Sequence, residues 1–391
     1  MPDAGPSHQI FLLPGSDLKK FAVRNFDFPS PAASAPALTT LLPLDHGGAQ
    51  PPRRHCFRPP HSMRPDFLPR RLSIFTACAA LASLGVLPNA PGQLSEPKQA
   101  PSPFQSTPAK PVQTPPQLDV VYGDTADGQK LLLDVFQPPV SPPKEGLTAQ
   151  PRLRPAVLMV HGGGWAGGNK KEFRNLALLM AQLGYVTVPV SYRLTTNAAN
   201  TWPAQLDDVQ LAVRWLRSHA TQYRVDPKRI GAVGVSAGGQ LVASLGLRET
   251  RDPATAKYPD QSSRVACVVD VCGPTDLADD FSSKVKQGDF VNDLLKRLLG
   301  GSVAEKSSLA GDASPLTHVD ARAVPFLIIH GTNDDVVPFD HSRRLHDALT
   351  KNATPASILA LENEGHVFQN RENQKKFIQE TIVFFNQNLM P

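Results

Sequence analysis

Ile230-Gly231-Ala232-Val233-Gly234-Val235-Ser236-Ala237-Gly238-Gly239 is the stretch that decides the fold. A short apolar strand runs into Gly-x-Ser-x-Gly, and a helix-forming run, Gln240 to Leu247, follows it. Such a strand–turn–helix presents its serine on a sharp bend, with Oγ above the sheet edge. Strand and helix backbones approach closely there, so the neighbours must be small, and Gly234 and Gly238 meet that need. The pattern alone arises by chance in about one chain in eight of this length. Its surroundings decide.

Three further pieces stand in order around it. Upstream, the apolar run 156–160 ends in His161-Gly162-Gly163-Gly164-Trp165. Downstream, 325–329 ends in His330-Gly331-Thr332-Asn333-Asp334-Asp335-Val336-Val337-Pro338. The run 357–361 then leads into Glu362-Asn363-Glu364-Gly365-His366. Serine, carboxylate and histidine thus occur in that chain order, each just after a predicted strand.

From about Leu118 to the C-terminus the chain resembles α/β-hydrolases of the esterase/lipase group with an HGGGW loop. It is similar to bacterial acetyl-esterase and feruloyl-esterase-like carboxylesterases. Ser191-Tyr192-Arg193-Leu194, Pro203 to Asp208, Ala212 to Arg217 and Asp226 to Ile230 fit the same group. The resemblance covers roughly the last two-thirds of the chain and implies an α/β fold, a mostly parallel sheet with helices on both faces. It also implies a serine ester hydrolase acting on short acyl or plant-wall acetyl and feruloyl esters, free or polysaccharide-linked, with no cofactor or metal. A peptidase or amidase of the same fold, formamidase-like ones included, and a non-catalytic binding module are the alternatives.

The hydroxyl of a serine needs a base within hydrogen-bond reach. Of the 11 histidines, His366 follows the last predicted strand in a glycine-flanked loop, at the edge where the serine turn ends. His341 and His346 fall in a helix, His219 near a helix end and His318 in an insertion, so these read as packing or surface residues. His161 and His330 end strands and resemble family residues that brace loops. For the acid, which fixes the imidazole tautomer, the family pattern His-Gly-x-x-Asp-x-x-Val-Pro implies Asp334 over Asp335, with Asp276 more remote. Asp207 and Asp208 read as a structural ion pair with Arg193. The family's oxyanion donors would be the amides of Ala237, Gly163 and Gly164, with Gly162 as the competing turn residue. Trp165 is either a substrate-binding wall or an anchor of the loop.

The rest of the chain is organised by composition. The 39 prolines concentrate before about residue 117. Residues 1–62 lack periodicity and are expected to be disordered. From Met63, three arginines precede the apolar run 72–87 and Pro88-Asn89-Ala90, the layout of a secretory signal peptide over 63–90. Met63 then reads as the true start, and the protein as exported. The run is too short for a stable membrane span. Residues 91–117 form a proline-rich linker and 118–391 the catalytic domain, with a cap insertion over about 276–319 that is expected to wall the substrate pocket. The net charge of +5 comes without a basic block beside aromatics, which argues against nucleic acid. Cys267 and Cys272, five residues apart on one strand, would sit about 16 Å apart and could not pair.

Overall fold

The structure, a computed structural model, describes residues 112–140, 152–195, 199–250 and 256–391. The expectations for 1–62, for 63–90 and for all but the end of the linker lie outside the described residues.

Eight strands form one sheet in the order β1-β2-β4-β3-β5-β6-β7-β8. An antiparallel hairpin opens it, β1 (Gln117–Asp124) and β2 (Lys130–Val135). Then strands and helices alternate: β3 (Arg154–Val160), α1 (Arg174–Gln182), β4 (Val186–Val190), α2 (Ala204–Ser218), the single turn α3 (Ala220–Tyr223) and β5 (Val225–Val235). Helix α4 (Ala237–Leu247) and β6 (Val268–Val271) follow. From β4 through β3 to β8 every pairing is parallel, whereas β2 meets β4 antiparallel. Beyond β6 lie α5 (Gly288–Leu299), α6 (Ser307–Ala313), β7 (Phe326–Gly331), α7 (Phe339–Lys351), β8 (Ala356–Leu361) and α8 (Arg371–Leu389).

A parallel sheet must be covered on both faces, so its strands read as continuous apolar runs. Along β3, Ala156, Leu158 and Val160 join one core, while Val157 and Met159 join the other. The first core packs under α2, α4, α5 and α7; the second packs under α1 and α8. Val209, Ala212, Val213 and Leu216, the expected inward stripe of α2, are all fully buried. The strand expected to carry Cys267 and Cys272 is shorter, Val268–Val271, and holds neither. Just upstream, Ala266 N–H and the Cys267 carbonyl still bond to β5, at Ile230 and Ala232, but Val265 N–H turns to the carbonyl of Leu245 on α4. Cys267 and Cys272 are buried thiols.

The insertion between β6 and β7 carries α5, which reaches the loops after β3 and β7, and α6, whose end is bonded to Gln240 on α4. It is pinned on several sides. Trp202 takes the carbonyl of Leu298 on its backbone N–H at 2.7 Å, and its indole N–H donates to Asp312 at 2.7 Å. Leu277 N–H donates to Ser314 Oγ at 2.7 Å, and Gln287 N–H to the carbonyl of Asp335 at 2.9 Å. Among the described residues no helix is long and apolar enough to cross a membrane.

Candidate active site

Ser236 occupies the bend between β5 and α4 with φ +56° and ψ −122°. A non-glycine residue in such a conformation stores roughly 1–3 kcal/mol, held only because the surroundings over-determine it. Here they do so by backbone contact. A Cβ on Gly234 would lie 2.2 Å from the carbonyl oxygen of Gly238, and one on Gly238 would lie 2.1 Å from that of Val160. Strand β3, the bend and α4 are therefore locked together without intervening side chains.

His366 Nε2 lies 2.9 Å from Ser236 Oγ, and its Nδ1 lies 2.7 Å from Asp334 Oδ2. Asp334 accepts only, so Nδ1 carries the ring proton and Nε2 is free to accept the serine hydroxyl. The three residues, 130 and 32 positions apart along the chain, meet at one rim. Ser236 and His366 are partly open to solvent, whereas Asp334 is buried. Burial would raise the Asp334 carboxyl, but hydrogen bonds from His330 and His366 outweigh it and hold the group well below the usual carboxylate range. Backbone N–H groups of Val336 and Val337 also donate to its other oxygen, at 2.8 and 2.9 Å.

Asp335 and Asp276 stand apart from the imidazole. The Asp335 carbonyl receives Gln287, and Asp276 pairs with Arg344 at 2.8 Å. Asp208 takes Arg193 as a two-toothed partner, the expected structural pair. His330 is more involved than a loop brace. Its Nε2–H faces both Asp334 Oδ2 at 3.0 Å and the carbonyl of Val337, while its Nδ1 accepts from Ser342 Oγ. Cys272, fully buried with φ +51°, lies beneath the loop with its thiol 3.8 Å from the carbonyl of His366. Its sulfur, His330 and Asp334 bring possible ligand atoms within 4.8 Å of one another. Asp334 there is already engaged by two imidazoles and two amides.

The loop after β3 turns at Gly163 (φ +99°) and Gly164 (φ +58°), not at Gly162. The amides of Gly163, Gly164 and Ala237 donate to no protein acceptor among the described residues. Ala237 also begins α4, so the positive end of the helix dipole lies at the serine. Trp165 does not wall a pocket. It is 2% exposed, and its indole N–H donates to Gln240 Oε1 at 3.1 Å, which makes it the anchor of the loop. Gln240, fully buried on α4, passes the link on by donating to the carbonyl of Ala313 at 2.7 Å. Burial pushes His161 down to about 4, leaving a neutral ring stacked on Tyr192 at 4.3 Å. Tyr192 O–H in turn donates to the carbonyl of His161 at 3.1 Å.

Two of these supports were not read from the sequence. Gln240 follows the serine motif directly, but its partners lie 73 and 75 positions away. Glu364, inside the histidine loop, is buried and accepts from Gln369 N–H, Asn370 N–H and Asn373 Nδ2 at 2.7–3.0 Å. A glutamate buried two residues before the histidine was the available signal.

The BD-FAE family model matches residues 145–349, just over half of the chain. The probable carboxylic ester hydrolase LipM of Mycobacterium tuberculosis is 33% identical over 59% of this chain and 51% of its own length. Esterase LipC of the same organism is 30% identical over 64% of this chain and 59% of its own. The chain thus spans between a half and three fifths of these curated relatives. Among solved structures, esterase Est2 of Thermogutta terrifontis superposes with a TM-score of 0.57 at 25% identity, covering 70% of this chain and 93% of that one. The chain belongs to the BD-FAE family and has the α/β-hydrolase fold.

Proposed function

We propose that this BD-FAE family member is a serine carboxylic-ester hydrolase working through an acyl-enzyme. The observation that carries the reading is the unbroken relay from Ser236 Oγ through His366 to Asp334, at 2.9 and 2.7 Å. The relatives named as esterases support the reaction class.

In the proposed cycle His366 Nε2 removes the Ser236 proton as Oγ attacks the ester carbonyl carbon. Negative charge gathers on the former carbonyl oxygen, where the free amides of Gly163, Gly164 and Ala237 receive it. Collapse breaks the bond to the alcohol, and the imidazolium returns the proton to the leaving oxygen. A water then loses its proton to His366, attacks the acyl carbon and releases the acid, restoring Ser236. Asp334 stays ionised throughout and holds Nδ1–H in place. No step calls for a cofactor. The substrates proposed are short-chain acyl esters and the acetyl or feruloyl esters of plant walls. We also propose export through the segment 63–90, for which N-terminal sequencing of the native protein is the check.

A fluorophosphonate probe should label Ser236, located by peptide mass spectrometry, and Ser236→Ala should abolish labelling. The same variant should lower kcat on p-nitrophenyl acetate by roughly three to six orders of magnitude. Label at another residue, or near-normal turnover in Ser236→Ala, would refute the mechanism. Methyl ferulate and acetylated xylan then separate wall esters from simple ones, and p-nitroanilides report an amidase instead.

A further inference from the structure

Helix α5 lies across the rim. At its start, Gln287 N–H bonds to the carbonyl of Asp335, beside the residue that holds the imidazole. Two turns on, about 10 Å along the axis, Leu294 reaches the oxyanion-type loop: a Cβ on Gly164 would lie 2.4 Å from Leu294 Cδ1. Phe290 is three residues past Gln287 and four before Leu294, so along the axis it sits between these two contacts. Phe290 is 56% exposed. The other exposed residues of α5 are the charged Asp289, Asp293, Lys296 and Arg297. Among the described residues, the other five large hydrophobics exposed to a comparable degree, Val112, Leu118, Val121, Val140 and Leu153, all precede β3.

Single exposed apolar side chains are common and need no function. Phe290 differs in its placement. Its helix is tied at its start to the loop that carries Asp334 and at mid-length, one turn beyond Phe290, to the loop of Gly164 through Leu294. In the proposed reaction the imidazole protonates the leaving oxygen, so the alcohol half of the ester lies on the imidazole side. Along the axis, Phe290 is nearer than Leu294 to the end of α5 that is bonded to the Asp334 loop.

We infer that Phe290 is a specificity residue, an aromatic platform for an apolar or aromatic alcohol moiety of the ester, with Leu294 closing the face toward the oxyanion loop. The inference rests on the proposed esterase reading. It names the alcohol, rather than the acyl chain, as the part recognised by this face.

The experiment uses the full chain and two ester series, ethyl, butyl and benzyl acetates for the alcohol, and ethyl acetate, butanoate and hexanoate for the acyl group. In Phe290→Ala the ratio of kcat/KM for benzyl over ethyl acetate should fall about tenfold, the worth of a lost apolar contact. Phe290→Tyr, which keeps the ring, should hold the ratio within about twofold. Thermal unfolding of each variant confirms the fold, which an exposed position should leave intact. An unchanged benzyl-to-ethyl ratio in Phe290→Ala overturns the inference, as does an equal fall along the acyl series. A wild-type chain inert on every ester sinks the esterase reading itself. An active chain with unmoved ratios sinks only the platform.

Discussion

The rim around Ser236 and the insertion above it are held by different kinds of contact. In the rim, backbone meets backbone: the Cβ positions of Gly163, Gly234 and Gly238 lie 2.4, 2.2 and 2.1 Å from carbonyl oxygens. In the insertion Gly288 is similarly tight, against the carbonyl of Phe281, but Gly311 on α6 opens on empty space. Its other ties mix backbone bonds, Gln287 N–H to Asp335 and Trp202 N–H to Leu298, with side-chain hydrogen bonds from Trp202 to Asp312 and from Gln240 to the Ala313 carbonyl. Backbone contacts cannot relax by changing a rotamer, whereas side-chain contacts can be exchanged one at a time. The proposed chemistry thus falls where the chain has least freedom, and the insertion where sequence can vary at more modest cost.

The largest effect expected falls on the rim's charge arrangement. Asp334→Asn preserves shape but offers His366 the wrong partner, and in triads of this kind such a change lowers kcat about 10⁴-fold. Burst and steady-state kinetics on p-nitrophenyl acetate measure it. A loss below tenfold would remove Asp334 from the mechanism and leave the rim as mere scaffolding.

Next in size is a matched pair of glycine substitutions. Gly238→Ala drives a methyl into the carbonyls of Val160 and His161, at 2.1 and 2.5 Å. It should cost about 3 kcal/mol or more, a fall in Tm of roughly 6–12 °C for a domain of this size. Gly311→Ala meets nothing within 4 Å and should raise stability by up to about 1 kcal/mol through helix propensity. Equal melting temperatures for the two variants would erase the distinction between the regions.

The link between the regions can be cut at Gln240. Gln240→Leu leaves the Trp165 indole N–H and the Ala313 carbonyl buried without partners, at a cost of about 1–3 kcal/mol. Adding Trp165→Phe should return part of that loss, because one of the two orphaned groups is then gone. A double-mutant cycle on urea unfolding reads the coupling. Strict additivity would mean that the loop and the insertion are independent.

The same division explains what was legible in the sequence. The bend at Ser236, the glycine run before Trp165 and the loops at Asp334 and His366 could be read because close backbone approach and charge chemistry admit few residue types. Regular elements followed from local pattern: the helix-forming run Gln240–Leu247 and the apolar run 357–361 fall within α4 and β8 as observed. The insertion was legible only as a stretch over about 276–319 between two strands. That Gln240 ties the end of α6 to Trp165 depends on pairings 73 and 75 residues apart, which no local pattern encodes. Trp165 shows the limit well. An indole can wall a pocket or anchor a loop with the same sequence around it, and the buried partner that decides lies elsewhere in the chain.

The smallest effect separates the regions by pH. His341, fully buried on α7, accepts the backbone N–H groups of Thr275 and Asp276 on Nδ1, at 3.1 and 3.3 Å, where the chain enters the insertion. Burial first, then Arg344 and His330, push it down to about 4, against the opposing pull of Asp279 and Asp276. Its folded pKa thus lies below the unfolded value of about 6.5, so the unfolded chain binds more protons between the two. Stability from this group is complete above pH 6.5 and drains as pH falls toward 4, by about 1.4 kcal/mol at pH 5.5. His161, in the rim, is lowered to about 4 as well. Its bonded nitrogen, however, is Nδ1, which donates to the Gly162 carbonyl, so protonation at Nε2 leaves that bond in place. Protonating His341 instead turns an acceptor for two amides into a donor, and the entry to the insertion must open. His341→Asn, which keeps an acceptor near Nδ1, should make the fall in urea-unfolding free energy between pH 7 and 5 shallower, as should His161→Asn. Only His341 should govern amide exchange at Thr275 and Asp276 in the native state. A greater loss of protection between pH 7 and 5.5 at Ala166 and Gly167, whose N–H groups bond to the Gly163 carbonyl, than at 275–276 would reverse the order of the two regions and overturn the comparison.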